Sequence, residues 1–81
     1  MTLTQIRTMM YLGPAKLRGH ETAFYQVMDV ERRFTFAYVW YERFFFGFDT
    51  LADAKEAFRL RATGGEAVEP DEWQEEIDSV V

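Results

Sequence analysis

The chain has 81 residues, of which 14 are aromatic and none is cysteine, and its formal net charge is −5. This length predicts a single domain over residues 1–81, and the absence of cysteine excludes a disulfide scaffold, a thiol nucleophile and thiolate metal ligands. No run approaches the roughly 20 apolar residues of a membrane span, and the N-terminus lacks the pattern of a signal peptide. We therefore expect a cytoplasmic protein.

Charge is distributed unevenly along the chain. All nine Lys and Arg residues lie within residues 1–61, whereas residues 62–81 contain seven acids and no base. The acids are Glu66, Glu69, Asp71, Glu72, Glu75, Glu76 and Asp78. An acidic total disfavours sequence-independent binding of nucleic acid, which depends on neutralising phosphates. A surface of one sign is suited instead to a basic patch on another protein.

The N-terminal segment fits two patterns. Within residues 2–12, Leu3, Ile6 and Met10 have helical spacing, and the Gly13-Pro14 pair would stop a helix. The same residues also fit a strand, because Thr, Ile and Tyr favour one and apolar side chains alternate toward Leu12. We favour the helix slightly, followed by a connector over residues 13–21.

The middle of the chain predicts a three-stranded antiparallel meander, with strands over residues 22–30, 33–41 and 44–48. Nine aromatic residues fall between Phe34 and Phe48, so the register of the second hairpin decides which rings share a face. Glu42-Arg43 is a poor tight turn, because such turns want Gly or Asn at positive φ. We therefore favour a three-residue loop, Glu42–Phe44, over a two-residue one. That register gathers six rings on one face: Phe34, Phe36, Tyr38, Trp40, Phe46 and Phe48.

Two helices are expected after the sheet. Thr50 is a natural N-cap with Asp53 three residues later, and Gly64-Gly65 ends the helix predicted over Thr50–Ala62. Pro70 suits the first turn of a second, acidic C-terminal helix. The predicted fold class is therefore α+β: a three-stranded antiparallel sheet packed against a helix, with an N-terminal segment and an acidic C-terminal helix. The expected core contains Phe36, Tyr38, Trp40, Phe46, Phe48, Leu51, Ala54 and Phe58.

No residue pattern indicates catalysis or a cofactor. His20 is the sole histidine and Ser79 the sole serine, so a hydrolytic dyad has no clear basis, and the carboxylates show no metal-binding spacing. We expect no catalytic, cofactor-binding or metal-binding residues, and an exposed loop position for His20. Arg32, Arg33 and Arg43 flank the aromatic strands, which makes a sheet that stacks single-stranded bases the alternative function.

Two resemblances add to this interpretation. The segment from Phe34 to Phe58, in which strands are followed by the run FGFDTLADAKEAF from Phe46, resembles the sheet-to-helix element of ethylene-response-factor and integrase arm-binding domains. This resemblance implies a three-stranded sheet that binds the DNA major groove. The strands here carry Phe, Tyr, Val and Ala where those families carry Arg, Lys and Trp. In size, acidity and lack of cysteine the chain also resembles small inhibitors from phages and mobile elements, including anti-CRISPR proteins.

The function that we expect is non-enzymatic protein binding, in the manner of a phage-type inhibitor. One candidate surface is the acidic C-terminal helix, which would occupy a basic, nucleic-acid-binding surface of a partner. The other is an exposed aromatic sheet face, which would alternatively form a homodimer. The residues predicted to bind a partner are Glu69, Asp71, Glu72, Glu75, Glu76, Asp78, Tyr25, Val39, Tyr41 and Phe45.

Overall fold

A computed structural model describes residues 5–77 and contains one antiparallel sheet and one α-helix. The elements are β1 (Ile6–Leu17), β2 (His20–Asp29), β3 (Phe34–Trp40), β4 (Arg43–Phe48), α1 (Leu51–Thr63), a 3₁₀ turn (Pro70–Glu72) and β5 (Trp73–Glu75). The strand order is β4-β3-β2-β1-β5. The predicted fold of three strands and an acidic C-terminal helix is therefore wrong in both its strand count and its last element.

β1 is a long strand where a helix was favoured. It pairs with β2 from Ile6 to Leu17, with bulges near Thr8 and Gly13, and so occupies the first half of the predicted connector. The weak helical spacing is outweighed by β-favouring residues and by a partner strand along the whole length. Residues 2–4 of the predicted helix lie outside the described residues.

The β3–β4 hairpin has a two-residue turn made of Tyr41 and Glu42, whose φ angles are +50° and +63°. Trp40 pairs with Arg43, and Tyr38 pairs with Phe45, so the predicted Glu42–Phe44 loop is wrong. A two-residue turn with positive φ at both positions is a type I′ turn, whose twist matches the twist of the paired strands. Side chains at such positions cost roughly 1–2 kcal/mol each, so Tyr41-Glu42 carries no turn signature in the sequence.

A bulge in β4 then divides the rings between the two faces of the sheet. The pairing shifts by one residue between Tyr38 and Phe36, which lies opposite Phe48, and Gly47 within the bulge has a φ of +93°. Phe45 and Phe48 stack on Tyr38, whereas Phe46 stacks on Phe44 on the other face. The prediction of Phe46 in the core is therefore wrong.

The α1 helix has the predicted caps. The Asp53 amide donates to the Thr50 hydroxyl at 3.0 Å, and Gly64 ends the helix with a φ of +67°. Phe58 packs against Phe24 and Tyr38. The fully enclosed core on this side of the sheet consists of Leu12, Ala15, Leu17, Phe24, Tyr38, Ala54 and Phe58.

The acidic segment after Pro70 forms one 3₁₀ turn and then a short strand instead of a helix. β5 pairs Trp73 with Leu17 and Glu75 with Ala15, and the Trp73 ring lies 5.9 Å from the Phe58 ring. Pairing with the outer edge of β1 satisfies the backbone of β5, and Trp73 meanwhile covers the end of the core. Residues 78–81 lie outside the described residues, and α1 is too short and too polar to cross a membrane.

Candidate interaction surface

The sheet face opposite α1 is apolar and carries no covering element among residues 5–77. This open face is defined by six side chains: Met9, Tyr11, Tyr25, Val39, Phe44 and Phe46. The pairing of Met9 with Val27 and of Tyr11 with Tyr25 places their side chains together. Val27 and Ala37 also point to this face and are completely buried there by their larger neighbours.

A continuous chain of rings crosses the open face. The centroids of Tyr11 and Tyr25 lie 5.5 Å apart, and those of Tyr25 and Phe44 lie 5.2 Å apart, both pairs meeting edge to face. Phe46 continues the chain, stacked on Phe44 at 5.7 Å. Tyr25 and Phe44 belong to β2 and β4, which are about 10 Å apart because β3 lies between them. The small Ala37 beside Tyr25 on β3 leaves the space in which these rings meet.

Several of these side chains remain open to solvent. The exposed fraction is 56% for Tyr11, 41% for Phe44 and 37% for Met9. None of the six side chains is charged. By register, Lys16 and Glu21 lie on this face at the end near the β1–β2 turn, and Asp29 lies on it at the other end. Contiguous apolar patches of this kind on monomeric proteins are often functional.

The aromatic and aliphatic residues predicted to bind a partner lie in three places. Tyr25 and Val39 belong to the open face, as expected from the strand pattern. Tyr41 lies in the β3–β4 turn and is 73% exposed. Phe45 points to the helix side, where it stacks on Tyr38 at 4.8 Å and lies 4.1 Å below the Arg61 guanidinium, so it takes no part in the open face.

Sequence reasoning missed four members of the open face: Met9, Tyr11, Phe44 and Phe46. Met9 and Tyr11 were missed because the helical pattern was favoured for β1. The alternation of β1 side chains would have found them. Phe44 and Phe46 were missed because the hairpin register was wrong, and Tyr41-Glu42 carries no turn signature that would have corrected it.

The predicted acidic residues do not form one binding face. Glu72 accepts a hydrogen bond from Arg18 at 2.8 Å, and Glu75 pairs with Lys55 at 2.9 Å. Arg18 holds the pKa of the Glu72 carboxyl below its usual value, and the Glu69 amide acts in the same direction. These two carboxylates therefore bind the protein's own bases. Glu69, Asp71 and Glu76 are exposed, and Asp78 lies outside the described residues.

The three arginines of the alternative function are divided between opposite ends of the sheet. Arg32 and Arg33 lie in the β2–β3 turn, whereas Arg43 begins β4 beyond the far end of β3. The seven residues of β3 separate the two groups by roughly 20 Å. Arg33 is also neutralised by ion pairs with Asp29 and Glu31. Base-stacking platforms need cations along the platform, and this arrangement does not provide them.

His20 is half-buried rather than loop-exposed, with its ring 5.9 Å from the Trp40 ring. Within residues 5–77, no three His, Asp or Glu side chains are grouped closely enough to hold a metal ion. Among residues 5–77, the apolar open face is therefore the surface on which we base the function.

Comparison with known proteins gives no match: no protein-family model fits the chain, and neither a curated protein nor a solved structure is significantly similar to it. The two resemblances therefore stay predictions.

Proposed function

We propose that this protein is a non-catalytic binding module whose open face packs against an apolar surface of a different protein. The observation that carries the proposal is the exposed chain of rings from Tyr11 through Tyr25 and Phe44 to Phe46. Aromatic residues are enriched at protein interfaces, where tyrosine combines a large apolar ring with a polar hydroxyl group.

The ring chain is also prearranged for binding. Each ring is held by the next, and the strands beneath them are paired on both sides at β2 and β3. Binding therefore orders few additional side chains, which lowers the entropic cost of association. Rigid aromatic side chains at the centre of a patch are typical hot spots, whose truncation costs roughly 2 kcal/mol or more of binding free energy.

The chemistry of the open face favours an apolar partner. Because none of its six side chains is charged, it has no electrostatic complement to a basic groove. The face is about four strands wide and six residues long, which gives roughly 400 Å² per side. Two copies face to face would thus bury roughly 800 Å², less than stable interfaces usually bury, and would bring together two chains of net charge −5. A different protein need not carry the same charge, and one that also contacts this chain beyond the edges of the face buries a larger area.

A phage-type inhibitor is the finer form of this proposal. Such a protein would block its target by covering an apolar working surface, which requires a small rigid domain and no catalytic group. The size of the chain and the stiff ring chain suit that role.

The test is affinity capture from nuclease-treated lysate of the source cell, followed by mass spectrometry. The Y11S/F44S double variant removes two exposed rings from the open face. The matched control is Leu60→Ser, because Leu60 is 48% exposed but lies on α1. Wild type and the control should retain the same stoichiometric partner, and the double variant should lose it at least ~10-fold, the equivalent of about 1.4 kcal/mol.

Three results would contradict the proposal. The double variant, shown by thermal melting to be folded, could retain the partner. Nuclease treatment could remove every partner, which would favour nucleic acid. Light scattering of the pure protein could show a dimer that the double variant loses, which would make the occupant a second copy.

A further inference from the structure

One end of the sheet carries a concave surface that contains none of the six side chains of the open face. The β1–β2 turn and the β3–β4 turn lie side by side there, and a concavity of about 310 Å³ lies between them. Its lining consists of Gly19, His20, Glu21, Trp40 and Tyr41. Three of these five residues carry rings and one carries a carboxylate. We call this surface the turn corner.

The rings of the turn corner meet at steep angles. His20 lies 5.9 Å from Trp40 at an interplanar angle of 67°, and Tyr41 lies 4.8 Å from Trp40 at 50°. Both other rings therefore contact the Trp40 ring, which lies between them. Rings at such angles can contact one small group from several directions, with both their π faces and their edges. Glu21 also lines the turn corner, and its side chain is exposed.

Tyr41 is placed in the turn corner at a cost to the backbone. Both central residues of its turn have positive φ angles, positions where Asn-Gly would be the unstrained choice. Burial does not repay this cost, because Tyr41 is 73% exposed. Strained residues that the fold does not require are often retained for binding. The exposed ring beside Trp40 is such a case.

No cation of the described chain occupies the turn corner. By register, Arg43 lies beside Trp40 and Lys16 beside Glu21. Within residues 5–77, neither base makes an ion pair or stacks on a ring, and the one guanidinium that does stack on a ring is that of Arg61, over Phe45. The π faces and the carboxylate are thus free to accept a cation from outside.

We propose that the turn corner binds an alkylammonium group, either that of a lysine side chain or its methylated form. Ammonium groups are attracted to the faces of Trp and Tyr by the ring quadrupole, and aromatic cages are the established way to bind methylated ammonium. Glu21 places a negative charge among the lining residues, and a concavity of about 310 Å³ has room for one such group. This site is independent of the open face, so neither proposal depends on the other.

The test is an NMR titration of the isotope-labelled full chain at pH 8 and low salt. The probes are N-acetyl-trimethyllysine amide, N-acetyl-lysine amide and the tert-butyl analogue of the first, which has the same shape without the charge. We expect the indole N–H of Trp40, and not that of Trp73, to shift with saturation in the millimolar range. The trimethylated probe should bind at least ~5-fold tighter than the neutral analogue. Saturable binding of plain lysine at the same indole also supports the site and identifies the unmethylated source.

Two variants separate binding from folding. Tyr41→Asn replaces a strained residue with one that tolerates positive φ, so it should keep or raise the melting temperature while weakening binding at least ~5-fold. Glu21→Gln should weaken binding of both cationic probes and leave the neutral analogue unaffected. The matched control, Tyr11→Asn, removes an exposed tyrosine from the open face and should leave binding unchanged.

The proposal is overturned if the neutral analogue binds as tightly as the trimethylated probe, because shape alone would then explain the contact. It is equally overturned if the folded Tyr41→Asn variant binds as tightly as wild type does. The third contradicting result is that neither cationic probe shifts the Trp40 indole signal at probe concentrations up to ~50 mM, a range in which even a weak ammonium–ring contact is detectable.

Discussion

Gly13 and Glu76 lie in direct backbone contact where β5 ends against β1. A methyl group on Gly13 would overlap the Glu76 carbonyl oxygen and come within 2.9 Å of the Ile77 Cα atom. Beside this contact, the Glu76 amide donates to the Pro14 carbonyl at 3.0 Å. β5 pairs with only three residues of β1, and this close approach extends the contact between the acidic segment and the sheet.

Gly13→Ala should therefore detach β5. The φ angle of +148° is strained for a residue with a Cβ atom, and the overlap is with backbone that has little room to move, so we expect a loss of about 2–4 kcal/mol in the free energy of unfolding. Urea unfolding measures the loss, and hydrogen exchange at the Trp73 amide measures the detachment.

Gly19→Ala is the matched control for that experiment. Gly19 also has a positive φ, +83°, but open space surrounds it. Its substitution should cost about 1 kcal/mol from backbone strain alone and leave exchange at Trp73 unchanged. Equal losses for the two variants would show that the contact with Glu76 contributes nothing.

Tyr38→Phe tests a buried hydroxyl in the core. Tyr38 is fully buried, and its hydroxyl makes no hydrogen bond of normal geometry within residues 5–77, although the Arg61 guanidinium lies close enough to interact with it. Burial raises the pKa of Tyr38, and the nearby Arg61 guanidinium only partly opposes that rise. Removing an unsatisfied buried polar group is neutral or favourable, so the free energy of unfolding should stay the same or rise by up to about 1 kcal/mol. A loss above 1 kcal/mol in urea unfolding would mean that the hydroxyl has a partner after all.

The ion pair of Arg18 with Glu72 makes stability depend on pH. The hydrogen bond from Arg18 lowers the pKa of Glu72 in the folded state below its ordinary 4.5. The unfolded chain therefore binds this proton more readily than the folded protein. The stabilisation is complete above pH 4.5 and is lost as the pH falls through the lower folded value.

Glu72→Gln removes this source of acid sensitivity. The variant should be less stable than wild type at pH 7, and the difference should shrink as the pH falls below 4.5, as measured by thermal melts from pH 7 to pH 3. Asp71→Asn is the control, since it removes one charge from the same turn at an exposed residue that has no ion pair among the described residues. A difference between wild type and Glu72→Gln that stays constant with pH would contradict the assignment.

Local signals predicted the parts of the fold that depend on neighbouring residues. Thr50 and Gly64 mark the ends of α1 because caps act within a few positions, and β2 and β3 follow from their apolar and aromatic runs. Tyr25 and Val39 were assigned correctly to an outer sheet face for the same reason. β5 was missed because three residues form a strand only when a distant edge is present to pair with them.

The hairpin register was not predictable from turn chemistry, because Tyr41 and Glu42 contradict the usual preference for Asn and Gly. That one error moved Phe44 and Phe46 off the open face and put Phe45 on it. The conflict between local preference and fold occurs at the turn corner, where we propose a binding site. Such conflicts are expected where a residue is kept for a reason other than stability.

Phe46→Ala and Phe58→Ala together test this register. Phe58 is fully buried between the sheet and α1, so its truncation should cost about 3–5 kcal/mol. Phe46 lies on the open face, half-buried against Phe44, and its truncation should cost only about 1–2 kcal/mol, because it leaves no enclosed cavity. Urea unfolding at constant m-value compares the two. If Phe46→Ala were as costly as Phe58→Ala, Phe46 would belong to the core and the two-residue Tyr41-Glu42 turn would be wrong. If the free energy of unfolding falls little for Phe46→Ala and much for Phe58→Ala, the ring chain lies on the surface, where a partner can reach it.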